Sequence, residues 1–444
     1  MGEVKKDPAD SSLGGGFKMT ELGPLPEEWE VVRLGEILRP VSRQARQIRV
    51  RDQEFYSLLS TRLYGHGVGL KKTVLGISLK TKTWFKVIKG DFLLLKIWAR
   101  KGAYGFVNEE YNNPIVSSDY PVLQLDRIKA DENYVSLFLI QPRVWQSLSV
   151  GARGATSRQR VHEREFLEIV YLPLPPLPEQ RAIAHVLRTV QQAREATEFV
   201  IQATRELKRS LMRHLFTYGP MPVGEADKVP LKDTAIGPLP EEWEVARLGE
   251  IFEIQQGKAL SPKHRAGKSP LPFLRTANVF WGRIDLSVVD EMDFTTDEVQ
   301  RLRLLPRDLL VCEGGDIGRT AIWRGELQLC SYQNHLHRLR AKREIEPEFY
   351  MYWMQAAILL FGLYPGQGNK TTIPNLSKSR LAGFGVPLPP LPEQHRIAHI
   401  LAAVDQKIEV EQKRQAALQA LFQTLLHLLM TGQVRVKDLS LEVK

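Results

Sequence analysis

In two stretches of the chain, apolar residues recur at alternating spacings of four and three positions. The stretches begin at Pro178 and Pro392 and contain no further proline and no glycine. This spacing is typical of the seam of a coiled coil. Proline fits the first helical turn, and Gly219 and Gly432 mark the end of each pattern. We predict two helices of about 40 residues, each about 60 Å long. The apolar seam positions are Ile183, Leu187, Val190, Ile201, Leu211 and Leu215 in the first helix and Ile397, Leu401, Val404, Ile408, Leu418, Phe422, Leu425 and Leu429 in the second.

Two arrangements would cover these apolar stripes. Each helix could lie on its own globular domain, or the two helices could pair with each other. A globular segment of this length does not extend over 60 Å, so we favour pairing. Because the first helix leads from the first globular segment to the second, paired helices must be antiparallel, with one globular domain near each end.

The sequence around the helices is duplicated. PLPPLPEQ occurs at 173–180 and at 387–394, and LGPLPEEWEVVRLGEI at 22–37 is matched by IGPLPEEWEVARLGEI at 236–251. Both pairs are offset by 214 positions. A period of this size indicates the duplication of a whole domain rather than a short structural repeat.

The duplication predicts a division of the chain into seven segments. The enclosed segments differ in sequence and are typical of mixed α/β structure, with candidate strands at 30–34, 92–97, 122–125, 309–312 and 336–340. The predicted segments are a flexible tail (1–21), a first mixed α/β domain (22–172), a Pro-rich segment with helix (173–220), a linker (221–235), a second mixed α/β domain (236–386), a second Pro-rich segment with helix (387–432) and a C-terminal tail (433–444).

Charge favours a polyanionic partner. The net charge is +10, and Leu22–Leu172 contains 23 Lys and Arg against 16 Asp and Glu, whereas Ile236–Val386 contains 19 against 18. Each domain has loops that mix cations with Gln, Asn, Ser and Thr, the side chains that grip phosphates and read base edges. Each loop taken alone is equally typical of a solvated surface. The candidate DNA-binding residues are Arg43, Arg46, Arg49, Lys71, Lys72, Arg153, Arg158, Arg160, Lys258, Lys263, Arg265, Lys268, Asn369, Lys370 and Thr371.

The motifs of catalysis and metal binding are missing from the sequence. It contains no GxxxxGK[ST], HExxH, GxSxG or paired CxxC, and no Asn/Asp-Pro-Pro-aromatic motif for amino-methyl transfer. Asp308 and Glu313 come closest to a nuclease pattern, but glycines follow Glu313. We expect the equivalent His185 and His399 to pack at a helix interface rather than act as ligands or bases. We expect Cys312 and Cys330 to be buried thiols in a reducing cytoplasm.

These features together resemble one known family. Two divergent domains, each closed by PLPPLPEQRAIAHVL (173–187) or PLPPLPEQHRIAHIL (387–401) and opened by PLPEEWEV–RLGEI, are similar to the specificity subunit of type I restriction–modification systems. The resemblance covers nearly all of 22–433. It implies an α/β protein in which two mixed α/β target recognition domains are linked by two long antiparallel coiled-coil helices, with a pseudo-two-fold internal repeat.

The resemblance also implies a function and partners. Each domain would read one half of a split, asymmetric sequence in double-stranded DNA, and the helices would set the spacer. Two methyltransferase subunits would supply the S-adenosylmethionine site, and restriction subunits would use ATP and Mg, so that this chain would have no cofactor and no catalytic residue. A self-sufficient DNA-modifying enzyme and a scaffold or repressor without a methyltransferase are the alternatives.

Overall fold

The computed structural model of the chain describes residues 16–148, 160–260, 270–364 and 376–438. The chain divides into two compact units. Unit 1 comprises Met1–Ala196 and Gln415–Lys444, and unit 2 comprises Thr197–Arg414. Each unit therefore contains one half of each long helix.

The segment that precedes the first long helix is rich in short strands. Its helices are α1 (Leu34–Ile37), α2 (Arg43–Arg46), α3 (Glu132–Leu139), α4 (Pro142–Ser147) and α5 (Glu163–Ile169). Its strands are β1 (Phe17–Thr20), β2 (Gly23–Pro26), β3 (Glu30–Arg33), β4 (Leu38–Pro40), β5 (Gln47–Arg49), β6 (Phe55–Thr61), β7 (Val68–Leu75), β8 (Thr83–Lys86), β9 (Asp91–Leu94), β10 (Tyr104–Phe106), β11 (Pro114–Val116), β12 (Val122–Leu125) and β13 (Tyr171–Leu174). The first long helix, α6, spans Leu177–Tyr218.

Two sheets form the body of unit 1. One has the strand order β5-β8-β11-β6-β7, and the other has the order β10-β9-β12-β4. Strand β9 is buried at all four positions, because it lies inside its sheet and carries mainly apolar residues. Phe92 of β9 packs 5.0 Å from Phe106 and 6.0 Å from Phe166, measured between ring centroids. These aromatic rings form the centre of the unit 1 core.

Unit 2 repeats this arrangement of short strands, short helices and one long helix, with elements of different lengths. Its helices are α7 (Leu248–Ile251), α8 (Thr296–Leu302), α9 (Pro347–Leu359) and α10 (Lys378–Ala382), followed by the second long helix, α11 (Leu391–Met430). Its strands are β14 (Leu231–Thr234), β15 (Gly237–Pro240), β16 (Glu244–Arg247), β17 (Phe252–Gln256), β18 (Pro270–Leu274), β19 (Val279–Phe280), β20 (Arg283–Ile284), β21 (Asp290–Asp293), β22 (Leu309–Cys312), β23 (Thr320–Ile322), β24 (Ser331–Tyr332), β25 (Leu336–Ala341) and β26 (Gly385–Leu388). The main sheet has the order β17-β25-β22-β23, and a second has the order β21-β18-β24.

The two duplicated sequence blocks pair with each other inside each unit. Strand β3 of the opening block is antiparallel to β13 of the Pro-rich block, and β16 is antiparallel to β26 in the same way. In each unit the two duplicated blocks therefore form one paired element, here called the bracket. The bracket encloses the segment between the blocks, here called the variable segment, and this pairing explains why both blocks are repeated together.

The long helices agree with the sequence prediction to within one residue at each end. Both begin at the Leu-Pro step and stop before a glycine with positive φ, +76° at Gly219 and +67° at Gly432, a conformation that glycine adopts without strain. Among the helices in the described ranges, none combines the length and the apolar character that crossing a membrane requires.

The halves of the long helices pair antiparallel in each unit, as predicted. In unit 1, Ile183 and Leu187 near the start of α6 share a core with Phe422 and Leu429 near the end of α11. In unit 2, Leu215 near the end of α6 shares a core with Ile397 and Leu401 near the start of α11. The other apolar seam positions are buried or half-buried; they are Val190, Ile201, Leu211, Val404, Ile408, Leu418 and Leu425.

Polar seam residues pair within each unit as well. The Arg194 guanidinium donates to the Gln419 side-chain oxygen in unit 1, and Lys208 forms an ion pair of 2.7 Å with Asp405 in unit 2. Fourteen positions separate Arg194 from Lys208 along α6, and fourteen separate Asp405 from Gln419 along α11. Both pairs therefore fit one antiparallel register.

Two predicted segment boundaries differ from the structure. Phe17–Thr20, expected in a flexible tail, form β1 and pair with Gly23–Pro26 of β2. Leu231–Thr234, expected in a linker, form β14 and pair with β15 in the same way. The repeated unit thus begins with a hairpin, whose first strands FKMT and LKDT share only Lys and Thr.

Candidate nucleic-acid interface

The predicted basic segment of unit 1 folds as helix α2 followed by edge strand β5. Arg43 and Arg49 are exposed. The Arg43 guanidinium donates to the Ser118 carbonyl oxygen at 3.3 Å and lies 5.7 Å from the centroid of the Phe85 ring. These contacts hold the arginine side chain against the sheet while it stays open to solvent. The segment therefore presents cations along one edge of the five-stranded sheet.

A shallow depression of ≈ 570 Å³ lies at this edge and is lined by Gln44, Gln47, Ile48, Arg49, Lys82 and Thr83. The primary amides of Gln44 and Gln47 can each donate and accept hydrogen bonds, as the bidentate reading of a base edge requires. Lys82 is tied down by Asp52 at 2.5 Å and by the Gly76 carbonyl oxygen at 3.0 Å. Both glutamines lie in the basic segment that the sequence predicts to contact DNA, although only its arginines are named as candidates there.

Arg46 lies in the same segment but has a structural role. Its guanidinium is 3.0 Å from Asp91, whose side chain is only 1% exposed. Burial raises the pKa of Asp91, and the Ile88 amide donates to the other carboxylate oxygen at 2.8 Å. Removing Arg46 would leave a buried carboxylate short of a partner, so we no longer include this residue among the DNA-binding candidates.

Lys71 and Lys72 are both exposed although they are neighbours on strand β7. Successive residues of a regular strand point to opposite faces. The register between β6 and β7 shifts here, since Leu58 pairs with Lys72 but Leu59 pairs with Leu70. Lys71 is the extra residue of a bulge, which brings both ammonium groups to the solvent.

The remaining unit 1 candidates divide between exposed and undescribed positions. Arg160 is exposed and forms a loose ion pair of 3.5 Å with Asp119. Arg153 and Arg158 lie outside the described residues. Of the basic set predicted for unit 1, the structure thus leaves Arg43, Arg49, Lys71, Lys72 and Arg160 at the surface.

Lys258 of unit 2 is an internal cation. Its ammonium lies 2.6 Å from Glu298 and 2.8 Å from the Asp293 carbonyl oxygen, and its side chain is only 8% exposed. We assign it a structural role and withdraw it from the candidates. The other candidates of unit 2, Lys263, Arg265, Lys268, Asn369, Lys370 and Thr371, lie outside the described residues.

The duplicated brackets make the same internal contacts in both units. The indole of Trp29 donates to Glu179 at 3.0 Å, and the indole of Trp243 donates to Glu393 at 2.9 Å. Both carboxylates belong to the PLPEQ motif. The glutamine of the motif is buried in each copy, where it donates to the carbonyl oxygen five residues before it, at 2.8 Å for both Gln180 and Gln394. The PLPEQ motif therefore joins the start of each long helix to the opening block of the same unit, a role that the sequence did not predict.

The surface of the brackets is also duplicated. His185 and His399 are both exposed, so the expectation that they pack at a helix interface is wrong. Each follows a buried seam isoleucine by two positions, which places it about 200° around the helix from the seam. The residue pairs exposed in both copies include Glu27 and Glu241, Glu30 and Glu244, Arg33 and Arg247, Pro176 and Pro390, Pro178 and Pro392, His185 and His399, and Leu207 and Leu421.

The groups that could have supported catalysis are used inside the fold. Asp308 accepts two hydrogen bonds from Arg340, at 2.7 and 2.8 Å, and Glu313 accepts one from Gln256 at 2.8 Å. Both cysteines are buried as predicted, and burial raises the pKa of Cys312 to about 11 and that of Cys330 to about 12. Within the described part of the chain, no group of three or more His, Cys, Asp or Glu side chains is placed to hold a metal ion.

Comparison with known proteins agrees with this duplicated architecture. The family model for the type I restriction modification DNA specificity domain matches twice, at residues 26–203 and 240–420. The chain belongs to this family. Each match covers one variable segment, most of its bracket and the larger part of the long helix that follows.

Named relatives are specificity subunits of type I restriction enzymes, and a solved structure has the same fold. The chain is 26% identical over 429 residues to the type I restriction enzyme MjaVIII specificity subunit of Methanocaldococcus jannaschii, covering 94% of this chain and 95% of the relative. It is 25% identical over 249 residues to the EcoBI specificity subunit of Escherichia coli, covering 52% of this chain and 50% of the relative. The type I restriction-modification S subunit from M. genitalium has the same fold, with a TM-score of 0.52, 17% identity and coverage of 90% of this chain and 96% of that one.

Proposed function

We propose that this specificity-family chain is the DNA sequence-recognition subunit of a type I restriction–modification complex. Each variable segment reads one half of a bipartite, asymmetric site in double-stranded DNA. The paired helices set the spacer between the half-sites, and the brackets and helices dock two methyltransferase subunits. Restriction subunits join the complex to cleave DNA.

The observation that carries this proposal is the contrast between duplicated brackets and divergent contents. Two copies of one partner need two similar surfaces, and many residues exposed on the brackets are the same in both copies, among them Arg33 and Arg247, and His185 and His399. Two different half-sites need two different reading surfaces, and the segments between the brackets differ in sequence although their main sheets share one strand order. One chain with duplicated brackets and divergent variable segments supplies both the docking surfaces and the reading surfaces.

Catalysis in this proposal belongs to the partners. The methyltransferase subunits supply the S-adenosylmethionine site, and the restriction subunits use ATP and Mg. The charged groups of this chain that come closest to a nuclease pattern are engaged in internal hydrogen bonds, which supports a binding role.

Salt-dependent DNA binding tests the proposal at the basic edge of unit 1. The chain, in complex with its methyltransferase, is titrated against a duplex that contains its site, with Arg43→Ala and Arg49→Ala combined. Each lost phosphate contact reduces the slope of log K against log salt by about 0.9, so the double variant should lose about 1.8. Arg127→Ala combined with Arg164→Ala is the control, since both are exposed and each is bound by a glutamate. A control slope that falls equally, or a double-variant slope that is unchanged, would remove this edge from the interface.

A further inference from the structure

Tyr64 lies in the connection between strands β6 and β7 and has an uncommon backbone conformation. Its φ is +59°, in the left-handed region that bulky residues rarely adopt. Its side chain is nevertheless 55% exposed. The turn itself does not require a tyrosine at this position, because a glycine would satisfy the backbone.

The connection is held firmly by a second turn, which follows strand β9. The Tyr64 amide donates to the Lys101 carbonyl oxygen at 2.6 Å, and the Gly65 amide donates to that of Gly102 at 3.0 Å. A Cβ atom added to Gly102 would lie 2.9 Å from the Gly65 amide nitrogen and 2.7 Å from the Trp145 ring of α4, so the two turns meet too closely for any larger residue. The Tyr64 ring is thereby fixed 5.8 Å from the Trp145 ring.

The second turn adds another aromatic ring and a cation. Trp98 is 38% exposed, and the Lys101 ammonium lies 4.8 Å from the centroid of its ring. Arg62, at the start of the first connection, is also exposed. Exposed aromatic faces beside ammonium and guanidinium groups fit a nucleotide chain, since a ring can pack on a base or sugar while the cation pairs with the phosphate.

Unit 2 brings the same chemistry together at the equivalent pair of connections. Here the β19–β20 turn meets the start of β23, directly after the turn that follows buried strand β22, and the Gly282 amide donates to the Thr320 carbonyl oxygen at 2.9 Å. The Phe280 ring has the guanidinium of Arg283 4.8 Å from its centroid and that of Arg319 at 5.2 Å. The sequences of the two turns differ between the units, yet each unit places an aromatic ring beside cations there.

We infer that Tyr64, Trp98 and Lys101 form a second DNA contact of unit 1, separate from the basic edge at Arg43 and Arg49. The two rings pack on nucleotides of the half-site, and Lys101 pairs with a phosphate. The inference rests on the proposed function, because it takes duplex DNA as the ligand. The exposed cations beside the rings favour DNA over an apolar protein surface.

The test measures DNA binding by the complex of the full chain with its methyltransferase. Tyr64→Gly removes the ring and suits the positive φ, so it should fold at least as well as the parent chain. Combined with Trp98→Ala it should weaken binding about 10-fold, as expected when the packing of two partly exposed rings on the sugars and base edges of a duplex is lost. Phe55→Ala is the control, because Phe55 is equally exposed but begins strand β6 at the opposite end. Its affinity should stay within about 2-fold of the parent chain.

The outcomes separate this inference from the proposed function. If the parent complex does not bind the duplex specifically, the proposed function fails. If the parent complex binds and the Tyr64→Gly, Trp98→Ala variant matches Phe55→Ala, the inference is overturned. If the variant loses methyltransferase in gel filtration while the bound fraction keeps full DNA affinity, the surface is a protein contact and the inference is again overturned. Lys101→Ala should lower the salt slope by about 0.9. The control is Lys129→Ala, since Lys129 is an exposed lysine in the turn between β12 and α3, and it should leave the slope unchanged.

Discussion

Replacing Lys208 tests whether polar groups in the helix seam hold the two helix halves of unit 2 in register. The ammonium lies 2.7 Å from one oxygen of Asp405 and 2.8 Å from the other, and 3.2 Å from the Gln355 side-chain oxygen. It also lies 5.0 Å from the centroid of the Tyr352 ring, whose hydroxyl donates to Asp405 at 2.9 Å. Lys208 occupies a seam position at which the second helix has the apolar Phe422.

The expected magnitude follows from burial. A hydrogen bond to a charged group contributes about 1.5–3 kcal/mol. The Lys208 side chain is 12% exposed, but that of Asp405 is 35% exposed, so solvent screens part of the interaction. We therefore expect a coupling free energy of about 1–1.5 kcal/mol between the two side chains. The exposed pair Lys413 and Glu409 should show only about 0.3–0.5 kcal/mol, as ordinary i,i+4 pairs do.

The assay is a double-mutant cycle of Lys208→Met and Asp405→Asn, read by native-state hydrogen exchange at the end of α6 and the start of α11. Local exchange is preferable to a global unfolding curve, because a chain with two units need not unfold in one step. The cycle of Lys413→Met and Glu409→Gln is the matched control. A Lys208–Asp405 coupling no larger than the control would show that this pair does not fix the register.

Three further predictions follow from particular contacts. The Arg435 guanidinium donates to Glu179 at 2.5 Å and to Glu28 at 2.9 Å, so Arg435→Ala should speed hydrogen exchange at the end of α11 about 10-fold or more. Lys437→Ala is the control and should not change the rate. Equal exchange rates in the two variants would refute a stabilising role for Arg435. Burial lowers the pKa of His337, so on acidification the imidazole gains a proton in the unfolded state before it does in the folded state, and unit 2 should lose stability as the pH falls through about 6.5. His337→Gln should flatten this dependence of stability on pH. An unchanged dependence would exclude His337 as the cause. Inserting four residues at the middle of both long helices adds about 6 Å to each and should change the length of the recognised spacer while both half-sites stay the same. Altered half-sites would contradict the proposal that the helices set the spacer.

The long helices and the duplication could be predicted from sequence because their causes are local or periodic. Absence of breakers, a proline at the start and a glycine at the end suffice to place a helix. The seam spacing then identifies the face that pairs, and both polar seam pairs, Arg194 with Gln419 and Lys208 with Asp405, fall in the register that this spacing allows. Two positions beyond a seam residue, His185 could have been placed on the outer face by the same geometry.

The candidate interface was predicted less well because it depends on the fold. The partners of Arg46 and Lys258 are Asp91 and Glu298, which lie 45 and 40 residues away in sequence. No local pattern shows that these cations point inward. The Tyr64 connection was missed for a similar reason, since its exposure beside Lys101 results from contact between two turns that are distant in sequence. Charge patterning identifies basic segments, and tertiary structure decides which of their side chains reach solvent.

Methylome sequencing gives the most direct test of the central claim. The chain is expressed with a cognate type I methyltransferase subunit in a host that lacks other methylation, and each DNA strand is read for modified bases. We predict one new bipartite, asymmetric motif that is methylated on both strands, and loss of that motif when the chain is omitted. Verified expression of both proteins without any new methylation, or methylation of a single undivided motif, would contradict the claim that the two units read two half-sites.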